Sequence, residues 1–299
     1  MEKFWNIWNS NGDIKIGNYT MKGFSVAAFR TNFFIKELSF MFDAGISSPY
    51  NPSHIFITHT HSDHIANIPF HLMGRRDTQR LLFCPQESTN HLEQYIKSLF
   101  VASNGEDLSE LKKNHVTIGV KAGDLLDLTV KGRKLKLEII KCYHQINCVG
   151  YGFIETKRKL KKELLNKPPK ELKDISDNEK YDYTSNYEFC YIGDTSEQIF
   201  KDGVIDRYSS IIIECTFLFD SELERAVETT HIHWNHLKPF VESHPNNMFY
   251  LYHFSARYKP DTIITFFANQ NIKNVIILAN NATAELELDS TDSSIIIDE

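Results

Sequence analysis

Cysteine is scarce in this chain: five residues among 299, Cys84, Cys142, Cys148, Cys190 and Cys215, with no C-x-x-C spacing. That odd, scattered set argues against a disulfide framework and a thiolate zinc knuckle, and fits a reducing compartment. Long apolar runs are also missing. Val275-Ile276-Ile277-Leu278-Ala279 is followed at once by Asn280, far short of the roughly 18 to 20 apolar residues of a spanning helix. The opening Met1-Glu2-Lys3-Phe4-Trp5 does not read as a basic and apolar leader, so export is not expected and the protein is read as intracellular, cytoplasmic or nuclear. Glycine (13) and proline (9) are too few for a collagenous or low-complexity chain, and no internal repeat is visible. What remains is ordinary globular composition, 41% hydrophobic and 24% charged.

The net charge is −6, but its sign is segregated. Segment 155–173 holds eight lysines and arginines, among them Lys157, Arg158, Lys159, Lys161 and Lys162, against three acids, a local +5 that leaves −11 for the rest. A basic arm on an acidic body suits contact with a phosphate backbone, although a solvated lysine-rich face has the same composition. β-branched and aromatic runs predict strands at 23–28, 33–35, 39–42, 54–58, 81–84, 135–141, 189–192, 210–214, 248–252 and 275–278. Helical patterns fall at 65–73, 89–102, 221–229, 234–242 and 259–269. This alternation predicts a layered α/β protein, one domain across 1–299, with an insertion at about 155–187 and an acidic, partly disordered tail at about 285–299.

Histidine is abundant by contrast: thirteen, with three in 58–64 and three in 231–236. Thr58-His59-Thr60-His61-Ser62-Asp63-His64 follows the strand-like Ile55-Phe56-Ile57 and precedes a helical pattern. On extended backbone residues i and i+2 point the same way, so His59 and His61 can grip one cation. Asp63 and His64, at the helix entrance, turn toward a neighbouring position where a second could sit.

This H-x-H-x-D-H string resembles the metal-binding signature of the metallo-β-lactamase superfamily, which implies a four-layer αβ/βα sandwich with metals at the edge shared by its halves. Superfamily members hydrolyse lactams, thioesters or phosphodiesters. By the superfamily's order, His144 would complete the first metal's shell with His59 and His61. Asp194, in Gly193-Asp194-Thr195, would bridge, and His253 would close the second shell with Asp63 and His64.

The text around these residues is similar to the ribonuclease Z family. His253-Phe254-Ser255-Ala256-Arg257-Tyr258, Glu214-Cys215-Thr216-Phe217 and Ala226-Val227-Glu228-Thr229-Thr230-His231 carry the resemblance. His231-Ile232-His233 and Thr156-Lys157-Arg158-Lys159-Leu160-Lys161-Lys162-Glu163 look closest to its short form in plants and related eukaryotes. The resemblance spans about 19–278. It implies a two-metal endoribonuclease that removes the 3′ trailer from precursor tRNA, using Zn2+, with Mn2+ or Fe2+ also compatible with such ligands. It further implies Asp63 acting on the attacking water and His231 as proton donor. Glu214 would orient His231, Arg257 would brace the site or meet a phosphate, and His233 and His236 are read as structural. The arm would grip tRNA, and in a homodimer would serve the partner's site. The bacterial loop with a proline, a lysine and an arginine-asparagine pair is not found between Met1 and Phe34, and Ala66-Asn67 stands where many relatives place two glycines. A glyoxalase II-like thioesterase shares the histidine string but gives no use for the arm. A non-catalytic RNA-binding relative would have lost ligands that are all present here.

Overall fold

The computed structural model describes residues 12–73, 79–105, 114–165, 167–173 and 175–279. The acidic tail at 285–299 lies outside them. The β-branched and aromatic runs form two seven-stranded sheets. The first holds β1 (Ile14–Ile16), β2 (Tyr19–Val26), β3 (Arg30–Ile35), β4 (Phe40–Phe42), β5 (His54–Phe56), β6 (Arg80–Pro85) and β7 (His115–Val120), in that order. The second runs from β8 (Leu125–Val130) through β9 (Arg133–Lys141), β10 (Val149–Leu160), β11 (Tyr181–Tyr191), β12 (Ser210–Glu214) and β13 (Met248–Tyr252) to β14 (Val275–Ile277). Each sheet begins as an antiparallel meander and continues as parallel strands, the change falling at β4/β5 and at β11/β12. Antiparallel neighbours need only a tight turn, whereas parallel ones need crossovers, several of which here are helical.

Aromatic side chains fill the space between the sheets. Phe42 stacks on Tyr191 with ring centroids 4.6 Å apart and Phe153 on Phe189 at 4.7 Å, all four rings sealed from solvent. Truncating such a ring to alanine costs about 3 to 5 kcal/mol. Outside the first sheet, α3 (Thr89–Asn104) lays Leu92, Ile96 and Phe100, spaced by four, over Ile55, Ile57 and Leu82. Outside the second, α7 (Trp234–Ser243) buries Trp234, Leu237 and Val241 in the cluster of Ile211, Ile213 and Leu251. These are the four layers of the expected sandwich.

Two expectations change in detail. The helix read at 65–73 is two pieces, α1 (Ser62–Ile65) and α2 (Ile68–Met73), because Pro69 has no N–H to carry the hydrogen-bond ladder back to the Ile65 carbonyl. The insertion at 155–187 is largely strand: β10 and β11 pair from Tyr151↔Tyr191 out to Leu160↔Tyr181, with a register shift at Phe153/Ile154. Beyond them lie the short helices α4 (Pro169–Leu172) and α5 (Asp177–Lys180). The outer part of this two-stranded ribbon meets water on both faces, so it lacks the apolar alternation by which strands are read. Among the described residues, no helix is long and apolar enough to cross a membrane.

Candidate metal centre

Parallel strands deliver the site from their carboxyl ends. Just past β5 come His59 and His61; past β11, Asp194; past β13, His253; and the loop between β9 and β10 carries His144. His61 is extended (φ −63°, ψ 149°) and caps α1, so extended backbone at 59–61 gives way to a helical turn that turns Asp63 and His64 toward the same point. Close approach demands glycine twice. A Cβ on Gly193 would stand 2.6 Å from Thr58 Cβ, and one on Gly45 would stand 1.7 Å from the Asp63 carbonyl.

Seven side chains converge. His59, His61, His144 and Asp194 form one group able to hold a cation, and Asp63, His64 and His253 another. His59 Nε2 lies 3.1 Å from His61 Nδ1, which is 3.3 Å from His144 Nε2. In the second group His253 Nε2 is 3.4 Å from both His64 Nε2 and Asp63 Oδ2. Asp194 Oδ2 sits between the groups, 3.6 Å from His59 Nε2, 3.6 Å from His64 Nε2 and 3.5 Å from His253 Nε2. Donors on a tetrahedron at zinc bonding distance stand roughly 3.3 to 3.4 Å apart. Asp194 Oδ1 is buried with no hydrogen-bond partner, an orphan acceptor of the kind a cation would satisfy. The donor set and its spacing fit divalent metal.

In His59, His64, His144 and His253 the outer imidazole nitrogen is occupied, which leaves the inner one free to ligate. His59 Nδ1 is 3.0 Å from Thr58 Oγ1, whose hydroxyl also lies 3.0 Å from Asp43 Oδ1. His64 Nδ1 is 2.9 Å from Asp43 Oδ2, His144 Nδ1 is 3.2 Å from the Thr230 carbonyl, and His253 Nδ1 is 3.2 Å from Thr216 Oγ1. Asp43, Thr230 and His253 all adopt left-handed backbone, uncommon for residues other than glycine, at φ 55°, 53° and 62°.

Electrostatics divides the histidines. Burial pushes His59 well below its ordinary value and lowers His61 and His144, so all three are neutral lone-pair donors. For His64 burial opposes charging, but Asp194, Asp43 and Asp63 prevail and hold it up to about 10. Burial likewise opposes ionisation of Asp194, yet His253, His64, His59 and His231 keep it well below the carboxylate range. A bound cation would take over the charge that the His64 proton supplies to these carboxylates.

His231 lies at the edge of this ligand lattice, close enough to Asp194 and His253 to form a third group able to hold a cation. Its Nδ1 donates to Glu214 Oε1 at 2.8 Å and lies 4.0 Å from Asp194 Oδ2. Burial opposes its protonation, but Glu214 and then Asp194 raise it to about 9. Glu214 is fully buried and also accepts from Thr195 N (2.9 Å) and Thr216 Oγ1 (2.5 Å). Arg257 is half-exposed, 3.6 Å from Glu222 and 5.9 Å from the Phe217 ring centroid. His233 caps α7, accepting from Asn235 N at 3.0 Å, a structural post. The arm residues Lys157, Arg158 and Lys159 are exposed along β10, and Lys162 is exposed just beyond. Sequence reasoning missed Asp43, Thr58 and Thr230 as supports. Asp43 had a faint signal, a carboxylate closing the strand run Phe40-Met41-Phe42 before Ala44-Gly45.

No family model matches the chain. By sequence, tRNase Z TRZ1 of Arabidopsis thaliana is 30% identical over 261 residues, covering 82% of this chain and 88% of that protein. Nuclear ribonuclease Z of Triticum aestivum is 30% identical over 165 residues, 54% of this chain and 89% of the relative. Among solved structures, human tRNase Z, short form, superposes with a TM-score of 0.53 at 17% identity, covering 78% of this chain and 91% of that one. The metallo-beta-lactamase fold protein YhfI of Bacillus subtilis gives a TM-score of 0.55 at 12% identity, covering 87% and 95%. The two superpositions establish the fold.

Proposed function

We propose, on the premise that this chain belongs to the ribonuclease Z family, that it is a metal-dependent endoribonuclease removing the 3′ trailer from precursor tRNA. The observation that carries this reading is the pairing of a seven-residue metal centre with His231 and Glu214, 2.8 Å apart at its edge. His59, His61 and His144 would hold one cation, Asp63, His64 and His253 a second, and Asp194 would touch both. The imidazole-rich set favours zinc, with Mn2+ or Fe2+ compatible. Bound there, two cations supply an activated water and neutralise charge building on the phosphate.

The remaining work falls to side chains. Asp63 orients the attacking water and accepts its proton. His231, poised protonated by Glu214, delivers a proton to the departing 3′-oxygen, leaving a 3′-hydroxyl on the tRNA and a 5′-phosphate on the trailer. Glu214 holds the ring through Nδ1, so Nε2 faces the reaction. Lys157, Arg158, Lys159, Lys161 and Lys162 on the ribbon, with Arg257 at the site, meet the RNA backbone. The ribbon's reach suits a homodimer in which each arm serves the partner's site, in cytoplasm or nucleus where precursor tRNA is found.

Metal content and product mapping test this together. The purified chain should carry close to two equivalents of zinc, cleave precursor tRNA after the acceptor stem, and hydrolyse a bis-aryl phosphodiester. Faster turnover of a thioester than of either phosphodiester would replace it with the thioesterase reading. A metal-free chain that binds tRNA without cutting it would make it an RNA-binding relative.

A further inference from the structure

The outer ribbon is a two-stranded sheet in which Thr156 to Lys159 and Asp182 to Ser185 are all exposed. Residues opposite one another on antiparallel strands share a face. The pairs Arg158↔Tyr183 and Leu160↔Tyr181 therefore put two aromatic rings, a leucine and a guanidinium on one side, while Lys157↔Thr184 and Lys159↔Asp182 put two ammonium groups on the other. Arg158 stands 4.8 Å from the Tyr181 ring centroid, and Tyr183 is 48% exposed. A phosphate backbone needs only the cations. The tyrosines and Leu160 around Arg158 fit a strip in which apolar side chains alternate with carboxylates, the first covering the rings and the second meeting the cations.

The chain itself contains such a strip. Residues 280–299 hold six acids and no lysine, arginine or histidine, so they carry the whole net charge of −6 and leave 1–279 balanced. Ala284, Leu286 and Leu288 alternate with Glu285, Glu287 and Asp289, and Ile295-Ile296-Ile297 is followed by Asp298-Glu299. Reach permits the contact. Ile276, Tyr250, Ile212, Tyr191 and Tyr151 share one rung of the second sheet, so strand spacing and rise place Arg158 roughly 40 Å from Ala279. Twenty residues span up to about 65 Å. We infer that the ribbon face bearing Arg158, Leu160, Tyr181 and Tyr183 is covered by segment 285–299 of the same chain, and that RNA must displace it to bind. This rests on the ribonuclease reading above for the identity of the competitor alone.

Carbodiimide coupling joins a carboxylate to an amine only where the two touch. In the full chain at about 50 mM salt it should link carboxylates of 285–299 to Lys157, Lys159, Lys161 or Lys162, and about 500 mM salt or added precursor tRNA should abolish the links. Tyr183→Ala, which removes an exposed ring, should at least halve them. Replacing the six tail acids by their amides should tighten precursor tRNA binding roughly five-fold or more at low salt, leave it unchanged at high salt, and leave hydrolysis of bis(p-nitrophenyl) phosphate unaltered. That gain should vanish when Arg158, Lys159, Lys161 and Lys162 are replaced by glutamine. The docked tail is overturned if no link reaches the ribbon, if links in a mixture of isotope-labelled and unlabelled protein form only between chains, or if the gain persists without the ribbon cations. Links indifferent to Tyr183→Ala overturn the choice of face. Normal trailer removal with any of these results leaves the ribonuclease reading intact. Ribbon links in a chain that neither binds nor cuts precursor tRNA overturn that reading and keep the docked tail.

Discussion

The metal centre, which draws His144, Asp194 and His253 from the second sheet, and the basic ribbon, which extends that sheet, differ in almost every physical respect. At the centre His59, His64, Asp194 and His253 are almost completely buried, and each of the three imidazoles is pinned through its outer nitrogen by a hydroxyl or carboxylate. On the ribbon, Lys157 to Lys159 stay exposed, and the outer ladder between β10 and β11 has no further strand beside it. Placing a cation takes donors fixed to a fraction of an ångström, which burial and interlocking hydrogen bonds provide. Gripping a long, deformable polyanion takes charge and reach, and water-exposed lysines supply both. Strands β10 and β11 reach both regions because they are packed at one end and bare at the other.

Four measurements break or sharpen this contrast. The largest effect belongs to Asp194→Ala, expected to lower occupancy of both cations and bring cleavage of RNA and of small diesters to background. Retention of two full equivalents would sink the bridging role. His231→Ala should keep its metal and slow precursor cleavage by roughly 10²- to 10⁴-fold, while a substrate with a good leaving group, which needs no proton, loses far less. Equal losses on the two substrates would argue against a proton donor.

The ribbon should respond to salt rather than to metal. Replacing Arg158, Lys159, Lys161 and Lys162 by glutamine is expected to flatten the log-log salt dependence of tRNA binding by about 0.7 to 0.9 per lost phosphate contact. Lys157 should contribute least, since it already lies 3.4 Å from Glu155 and 3.2 Å from Glu188. An unchanged slope would return the ribbon to a solvated insertion.

The smallest effect lies away from both regions. Burial drives His71 down to about 4, and its Nε2 lies 3.2 Å from the Ile46 carbonyl. The fold therefore keeps it neutral while the unfolded chain takes up a proton near pH 6.5. Its contribution is fully present above that pH and shrinks as pH falls toward 4, by about 3 kcal/mol in all. Denaturant titrations of His71→Gln should show a flatter pH dependence than the natural protein across that window; identical curves would refute it.

Much of this architecture was legible in residue order. Strands β12 and β13 match the predicted 210–214 and 248–252 residue for residue, since both are central strands built round buried apolar runs, Ile211 to Ile213 and Phe249 to Tyr252. His59, His61, Asp63 and His64 were legible because metal donors belong to few residue types and sit close together in one string, whereas His144, Asp194 and His253 were placed by the resemblance to the superfamily's order. The outer strands were not: β8 exposes Leu125, Asp127 and Thr129 and buries only Leu128 and Val130, and the ribbon has no buried face beyond Glu155. The supports were hidden for another reason. Asp43 lies 21 residues from His64 and Thr230 lies 86 from His144, pairings that only the folded sheets create.

That separation reaches beyond chemistry. His64 and His253 are 189 residues apart and belong to different sheets, so an unfolded chain offers a cation no comparable cage, and the free energy of uptake becomes free energy of folding. At a metal concentration a thousand times the dissociation constant, that linkage adds about 4 kcal/mol to stability. Metal supply would then govern how long the protein survives as well as how fast it works. Chelated chains should open between the two sheets and fall to proteases, and resistance to digestion would report loading without any substrate.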